Sequence, residues 1–231
     1  MTASPATAAA AAVPADDRTT RVRRIAAGGS IVGAGVFTLA GFLACPWEDG
    51  PTEADYLHSL TGAPGQAVLS MIFLHIGYLL LVPFAFVVAR LARRRAPWPA
   101  GIGLVLAVLG GGLSTLVITD AYDPAIAQNV PPADALRIED GISVAGFLAV
   151  GLTSVAGTII GSVLLLVALW LARWTSWLPA AAVLAGWVVS YGAHDAIRAC
   201  SGAALVAIGL VAVGVRVLRA SDEQFDSGVP S

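Results

Sequence analysis

The side chains able to move protons in this chain gather in three connections between apolar runs. TDAYDPAIAQNVPPADALRIEDG, residues 119–141, carries Asp120, Asp123, Asp134, Glu139 and Asp140 against the single Arg137. YGAHDAIR, 191–198, brings together Tyr191, His194, Asp195 and Arg198, and PWEDGPTEADYLH, 46–58, holds Trp47, Glu48, Asp49, Glu53, Asp55 and His58. Partial burial raises a carboxyl pKa and a neighbouring arginine lowers it, so two acids in unlike settings can divide the work of proton donor and charge stabiliser. On that ground Glu139, Asp140, Asp120 and Asp195 are candidate acids and His194 a candidate base. Tyr191, Trp47 and Trp187 offer ring faces to a developing cation. His75, Tyr78, Asp123 and Arg198 complete the candidate substrate contacts.

Other chemistries lack their residues. The sequence has no phosphate-cradling glycine loop with its lysine, no metalloprotease helix motif and no nucleophile elbow. His58, His75 and His194 are the only histidines, and none has the helical spacing of a zinc pair, so neither metal nor cofactor is expected. The basic residues flank apolar runs, which argues against nucleic-acid binding.

The elements that must position these groups follow from composition. The chain is 57% hydrophobic and 12% charged over 231 residues, against roughly 25% charged in soluble domains. A bilayer core about 30 Å thick needs roughly 20 apolar residues per crossing, and six such runs occur: 25–45, 66–89, 98–119, 142–171, 176–193 and 199–215. The expected fold is an all-α, polytopic six-helix membrane bundle over 25–219. An Ala-rich, then Arg-rich, tail (1–24) precedes it and a short polar tail (220–231) follows, both without a packed core. The first run reads as an uncleaved span rather than a signal segment.

Of 13 basic residues, all arginine, 11 lie on one side of these runs. The positive-inside tendency makes that side cytoplasmic and puts both termini there, in the cell membrane. The three opposite connections hold ten acids against Arg137 and Arg198, so a net charge of -2 conceals a strong separation. Topology alone explains much of that acidity, because outer loops simply lack arginine.

Several groups inside the runs also need an explanation. His75 is the one titratable side chain well within a span and should face the interior or a wet cavity, on a face shared with Met71, Tyr78, Leu79 and Val82. Its alternative is a neutral ring bonded to a backbone carbonyl. The fourth run would reach about 45 Å as one helix, so a tilt, or a break at Gly146 or Gly151, is expected. Gly29/Gly33 and Gly157/Gly161 have the small-xxx-small spacing of close helix contacts. Cys45 and Cys200 fall at the outer ends of the first and last spans, where a disulfide could form, or two small side chains could simply pack. A polar vestibule in the outer half, lined by the second to fifth helices, is the expected site.

With TDAYD, RIEDG and YGAHDAIR at helix ends, the chain resembles the small integral-membrane terpene cyclases. That resemblance implies a carboxylic acid protonating a lipophilic, isoprenoid substrate within a membrane bundle. The chain also resembles small actinobacterial-type polytopic membrane proteins, in its Ala, Gly and Arg usage and in a histidine in the second span. Competing expectations are a proton-coupled permease subunit using His75 and Asp195, and an accessory membrane protein. Expected partners are a lipophilic small molecule, membrane lipid and a second copy of the chain.

Overall fold

The computed structural model describes residues 17–47, 52–120, 131, 133–134, 137, 147–190, 193 and 195–230. Every regular element among them is helical: α1 (Asp17–Ala44), α2 (Glu53–Gly62), α3 (Pro64–Ala92), α4 (Pro97–Asp120), a π-helical turn (Phe147–Leu152) running into α5 (Thr153–Leu171), α6 (Leu178–Ser190), α7 (Ala196–Arg219) and α8 (Asp222–Ser227). Five stretches are long and apolar enough to cross a membrane: Arg18–Ala44, Pro64–Ala92, Pro97–Ser114, Ala149–Leu171 and Ala196–Arg219. The sixth expected run, 176–193, yields only the 13-residue α6. At 1.5 Å per residue that is about 20 Å, short of a hydrocarbon core.

The helix ends follow local chemistry. Pro64 and Pro97 open α3 and α4, where the N–H that proline lacks has no helical partner anyway. α5 closes through paired bonds from Arg173 N to Trp170 O (2.8 Å) and Trp174 N to Leu169 O (2.9 Å). That C-terminal motif needs a left-handed residue, usually glycine; here Arg173 takes it with φ 63°. Pro83 sits inside α3 without ending it.

Two differences from the sequence reading lie at the chain ends. α1 begins at Asp17, so the arginines before the first apolar run belong to its opening turns, as suits a good helix former. The polar tail after 219 folds into α8 and docks. Ser221 Oγ accepts from Gln224 N while Gln224 Oε1 accepts from Ser221 N, and Phe225 is buried beneath. Arg24 pairs with Asp222 at 2.7 Å and Arg90 with Asp226 at 2.8 Å. Trp174 Nε1 donates to Gly228 O at 3.2 Å.

α1 packs between α3 and α7; α3 packs on α4, α4 on α5 and α6 on α7, while α5 reaches both α3 and α6 and closes the ring. Lipid is as apolar as leucine, so close backbone approach matters more here than burial. The α4–α5 seam shows it: a methyl on Gly157 would lie 2.8 Å from Leu106 O, and Gly110 and Gly161 meet the facing backbone at still shorter range. Gly186 and Gly202 join α6 to α7 in the same way, each Cβ position being 2.5 Å from the other's carbonyl. The Gly29/Gly33 spacing makes no such seam; Gly29 faces open space and Gly33 meets side chains, Leu80 closest, rather than a facing backbone.

Candidate functional site

Between the helices lies a chamber of about 140 Å³, in the half of the bundle nearer the acidic connections. Phe42 of α1, Tyr78 of α3, Ser114 of α4, Thr158 of α5, and Trp187 and Ser190 of α6 line it. The elements are those of the expected vestibule plus α1. The described lining, however, is hydroxyl and ring rather than carboxylate.

The lining divides into a satisfied wall and an unsatisfied one. Ser114 Oγ is 2.8 Å from Ser154 Oγ and 3.0 Å from Thr158 Oγ1, a buried hydroxyl ladder that ties α4 to α5 just beyond the glycine seam. Ser190 Oγ donates to Gly186 O at 2.9 Å. Trp187 stacks on Tyr78, with ring centroids 6.2 Å apart and planes at 16°. Its indole is almost wholly buried, yet Nε1 has no hydrogen-bond partner among the described residues. Leaving a buried donor unpaired costs about 1–3 kcal/mol, so an acceptor arriving in the chamber would recover that cost.

Aromatic rings pack beside the chamber at the C-terminal end of α1. Phe42 stacks on Trp47 at 6.4 Å and 5°, and Trp47 meets Tyr56 at 5.3 Å. Trp47 Nε1 donates to Phe42 O at 2.8 Å, so Trp47 is a packing residue and does not line the chamber. Cys45 Sγ lies 3.8 Å from Tyr56 Oη. Burial pushes the Cys45 thiol up to about 11 and moves the Tyr56 phenol further above its ordinary range, so both stay protonated. Of the two alternatives for Cys45 and Cys200, the structure has the packing one: both are free, and Cys200 Sγ contacts Phe42 O at 3.5 Å.

The other candidates are distributed as follows. Asp195 caps α7, its Oδ1 accepting from Arg198 N at 2.9 Å, and Arg198 Nε is 4.0 Å from its other oxygen. Both side chains are solvent-accessible, which is the geometry of a helix start rather than of a dry acid. Arg137 pairs likewise with Asp134 at 3.2 Å, so both outer arginines answer to an acid of their own connection. His75 Nδ1 is 2.7 Å from Met71 O and the ring is absent from the chamber lining, so it is accounted for as a carbonyl-bonded histidine. Asp120 ends α4, and nothing is described of its side chain. Asp123, Glu139, Asp140, Tyr191 and His194 lie outside the described residues.

Ser114, Thr158 and Ser190 were missed by a search for titratable groups. Their signal was available as hydroxyls inside three apolar runs that otherwise have little to bond. A larger groove of about 580 Å³ on α4 is lined by apolar residues such as Trp98, Ile102 and Val105, and matches a lipid-facing surface. No group of His, Cys, Asp and Glu among the described residues could hold a metal. The chain matches no family model, no curated protein and no solved structure.

Proposed function

We propose that this is a multi-pass protein of the cell membrane that holds a compact lipophilic molecule, with one hydrogen-bond acceptor, in the chamber between α3, α4, α5 and α6. Both termini are cytoplasmic in this reading, supported by 11 arginines at one end of the bundle, and α6 counts as a short sixth crossing. The observation that carries the ligand is Trp187, whose side chain lines the chamber and whose Nε1 is a buried donor without a hydrogen-bond partner among the described residues. The volume sets the class: ligand sites for drug-sized molecules begin at about 300 Å³, whereas about 150 Å³ suits a molecule of benzene's size.

The probe pair is benzaldehyde and toluene, alike in shape and differing by a carbonyl oxygen. Benzaldehyde should stabilise the purified protein at roughly fivefold lower concentration, the value of one net hydrogen bond, and Trp187→Phe should erase that preference. Ser114→Leu should fill the chamber and abolish both responses. Equal binding of the two probes by the unaltered protein, or full binding by Ser114→Leu, refutes the reading.

Acid–base chemistry on an isoprenoid, implied by the family resemblance, is the enzymatic form of this proposal. It rests on α4 running from Ser114 at the chamber to Asp120 at the edge of the acidic connection. A prenyl chain needs more than 140 Å³, so this form requires the chamber to extend into residues 119–141. Its own test is turnover of a prenylated epoxide: Asp120→Asn or Glu139→Gln should abolish it without loss of insertion. Turnover retained in both variants excludes those acids.

A further inference from the structure

The arginine-rich end of the bundle has a second cleft, about 220 Å³, walled by Trp174, Arg216, Arg219, Gln224 and Pro230. Its arginines differ from their neighbours. Arg24 and Arg90 are paired with Asp222 and Asp226, and Arg23 approaches Asp226 at 3.8 Å. Arg216 and Arg219 make no ion pair or hydrogen bond among the described residues, and the α8 acids Asp222 and Asp226 are paired with Arg24 and Arg90 instead. Those acids are already committed elsewhere, and Glu223, which is exposed, does not line the cleft.

The helix end would ordinarily repel an anion, because its last carbonyls are free. Here Ala220 N donates to Arg216 O and Val217 O, and Arg24 Nη1 donates to Leu218 O. Trp174 is held by its own bond to Gly228 O, which fixes the wall opposite. Two guanidiniums three residues apart are thus left at the mouth of a shaped cleft, where the apolar length of α7 ends. Guanidinium forks match phosphate oxygens in pairs, and basic pockets between helices at the cytoplasmic surface suit lipid headgroups.

We propose that Arg216 and Arg219, with the docked C-terminal segment as the far wall, bind a phosphate group at the cytoplasmic face. A phospholipid headgroup and a soluble phosphate present the same chemistry, and the experiment separates them. The full chain in detergent is titrated with phosphatidylcholine, with phosphatidylglycerol and with inorganic phosphate, following thermal unfolding. The protein should respond to phosphatidylglycerol beyond phosphatidylcholine, and Arg216→Gln/Arg219→Gln should weaken the response by about fivefold per charge. Arg93→Gln/Arg94→Gln, which removes equal charge from the exposed turn after α3, should leave it unchanged. A response to inorganic phosphate alone, lost in the first pair only, supports the site with a soluble occupant. No response to either anion, or equal loss in both pairs, overturns the proposal.

Discussion

The two ends of this bundle are closed by different means. At the arginine-rich end a short amphipathic helix folds back and ties itself down with ion pairs and a buried ring, Asp222 and Asp226 answering Arg24 and Arg90 while Phe225 lies under the Arg90 guanidinium at 5.1 Å. At the other end, among the described residues, rings and hydroxyls do the work: Phe42 stacks on Trp47, Tyr56 is tilted against Trp47, and Ser114 bonds both Ser154 and Thr158. Charge can close the first end because water and headgroups lie nearby to solvate whatever is left over. Nearer the middle of the bundle an unpaired group has no such refuge, and among the described residues the buried side-chain donor left over is Trp187 Nε1. The contrast teaches where to look for a ligand: among leftovers that solvent is unable to satisfy.

The comparison can be broken most severely at the seam below the hydroxyl ladder. Gly110→Leu places a side chain where α4 and α5 backbones touch. It should cost about 3 kcal/mol or more, read as loss of monodisperse protein after extraction or as a collapsed unfolding midpoint. At the charged end, Phe225→Ala should cost roughly 2 kcal/mol. That is below the usual range for a core phenylalanine, because a small docked helix can lose only its own docking energy. Its readout is faster proteolysis of the tail with the membrane core intact.

Trp187→Phe should move stability the other way, a gain of about 1 kcal/mol from removing an unpaired donor, visible as a raised unfolding temperature without ligand. Asp222→Asn should cost only about 0.5 kcal/mol, as suits a partly exposed pair; high salt should shrink the difference. The smallest effect belongs to α2. Hydrogen bonds from the Thr52 hydroxyl, and then from its backbone N–H, hold the Asp55 carboxyl below its ordinary 3.8. A depressed carboxylate contributes fully above its unfolded value and loses that contribution as pH falls through the folded one. Protection of the Thr52 and Asp55 amides, taken relative to the intrinsic exchange rate at each pH, should therefore fall at strongly acid pH, with the rest of the bundle unaffected.

Long apolar runs were legible because the membrane demands them: 66–89 became Pro64–Ala92 and 98–119 became Pro97–Asp120. The run 176–193 is described as the 13-residue helix Leu178–Ser190, shorter than the five stretches long enough to cross a membrane, so a count of apolar residues alone does not settle a sixth crossing. Two short helices escaped notice although their starts are written plainly. Thr52 with Asp55 and Ser221 with Gln224 are capping boxes, passed over because both stretches are polar and were read as loop and tail. The site was half legible. Trp187 was chosen for its ring and Tyr78 for the helical face it shares with His75, and both side chains line the chamber. Asp195 was chosen for its charge and turned out to be a cap, since sequence spacing alone does not distinguish an acid that caps a helix from one that faces a cavity.

The π-helical turn from Phe147 to Leu152 has a consequence of register. Such a turn is an α-helix carrying one residue too many, and each residue swings the chain by about 100° around the axis. Deleting a single residue there would let the turn relax into ordinary helix. Because the extra residue is taken up within one wide turn, Val155, Thr158 and Ile159 would keep the faces they present to the chamber. A one-residue change of length at this place is therefore cushioned, taken up by the turn without re-aiming the α5 side chains that line the chamber.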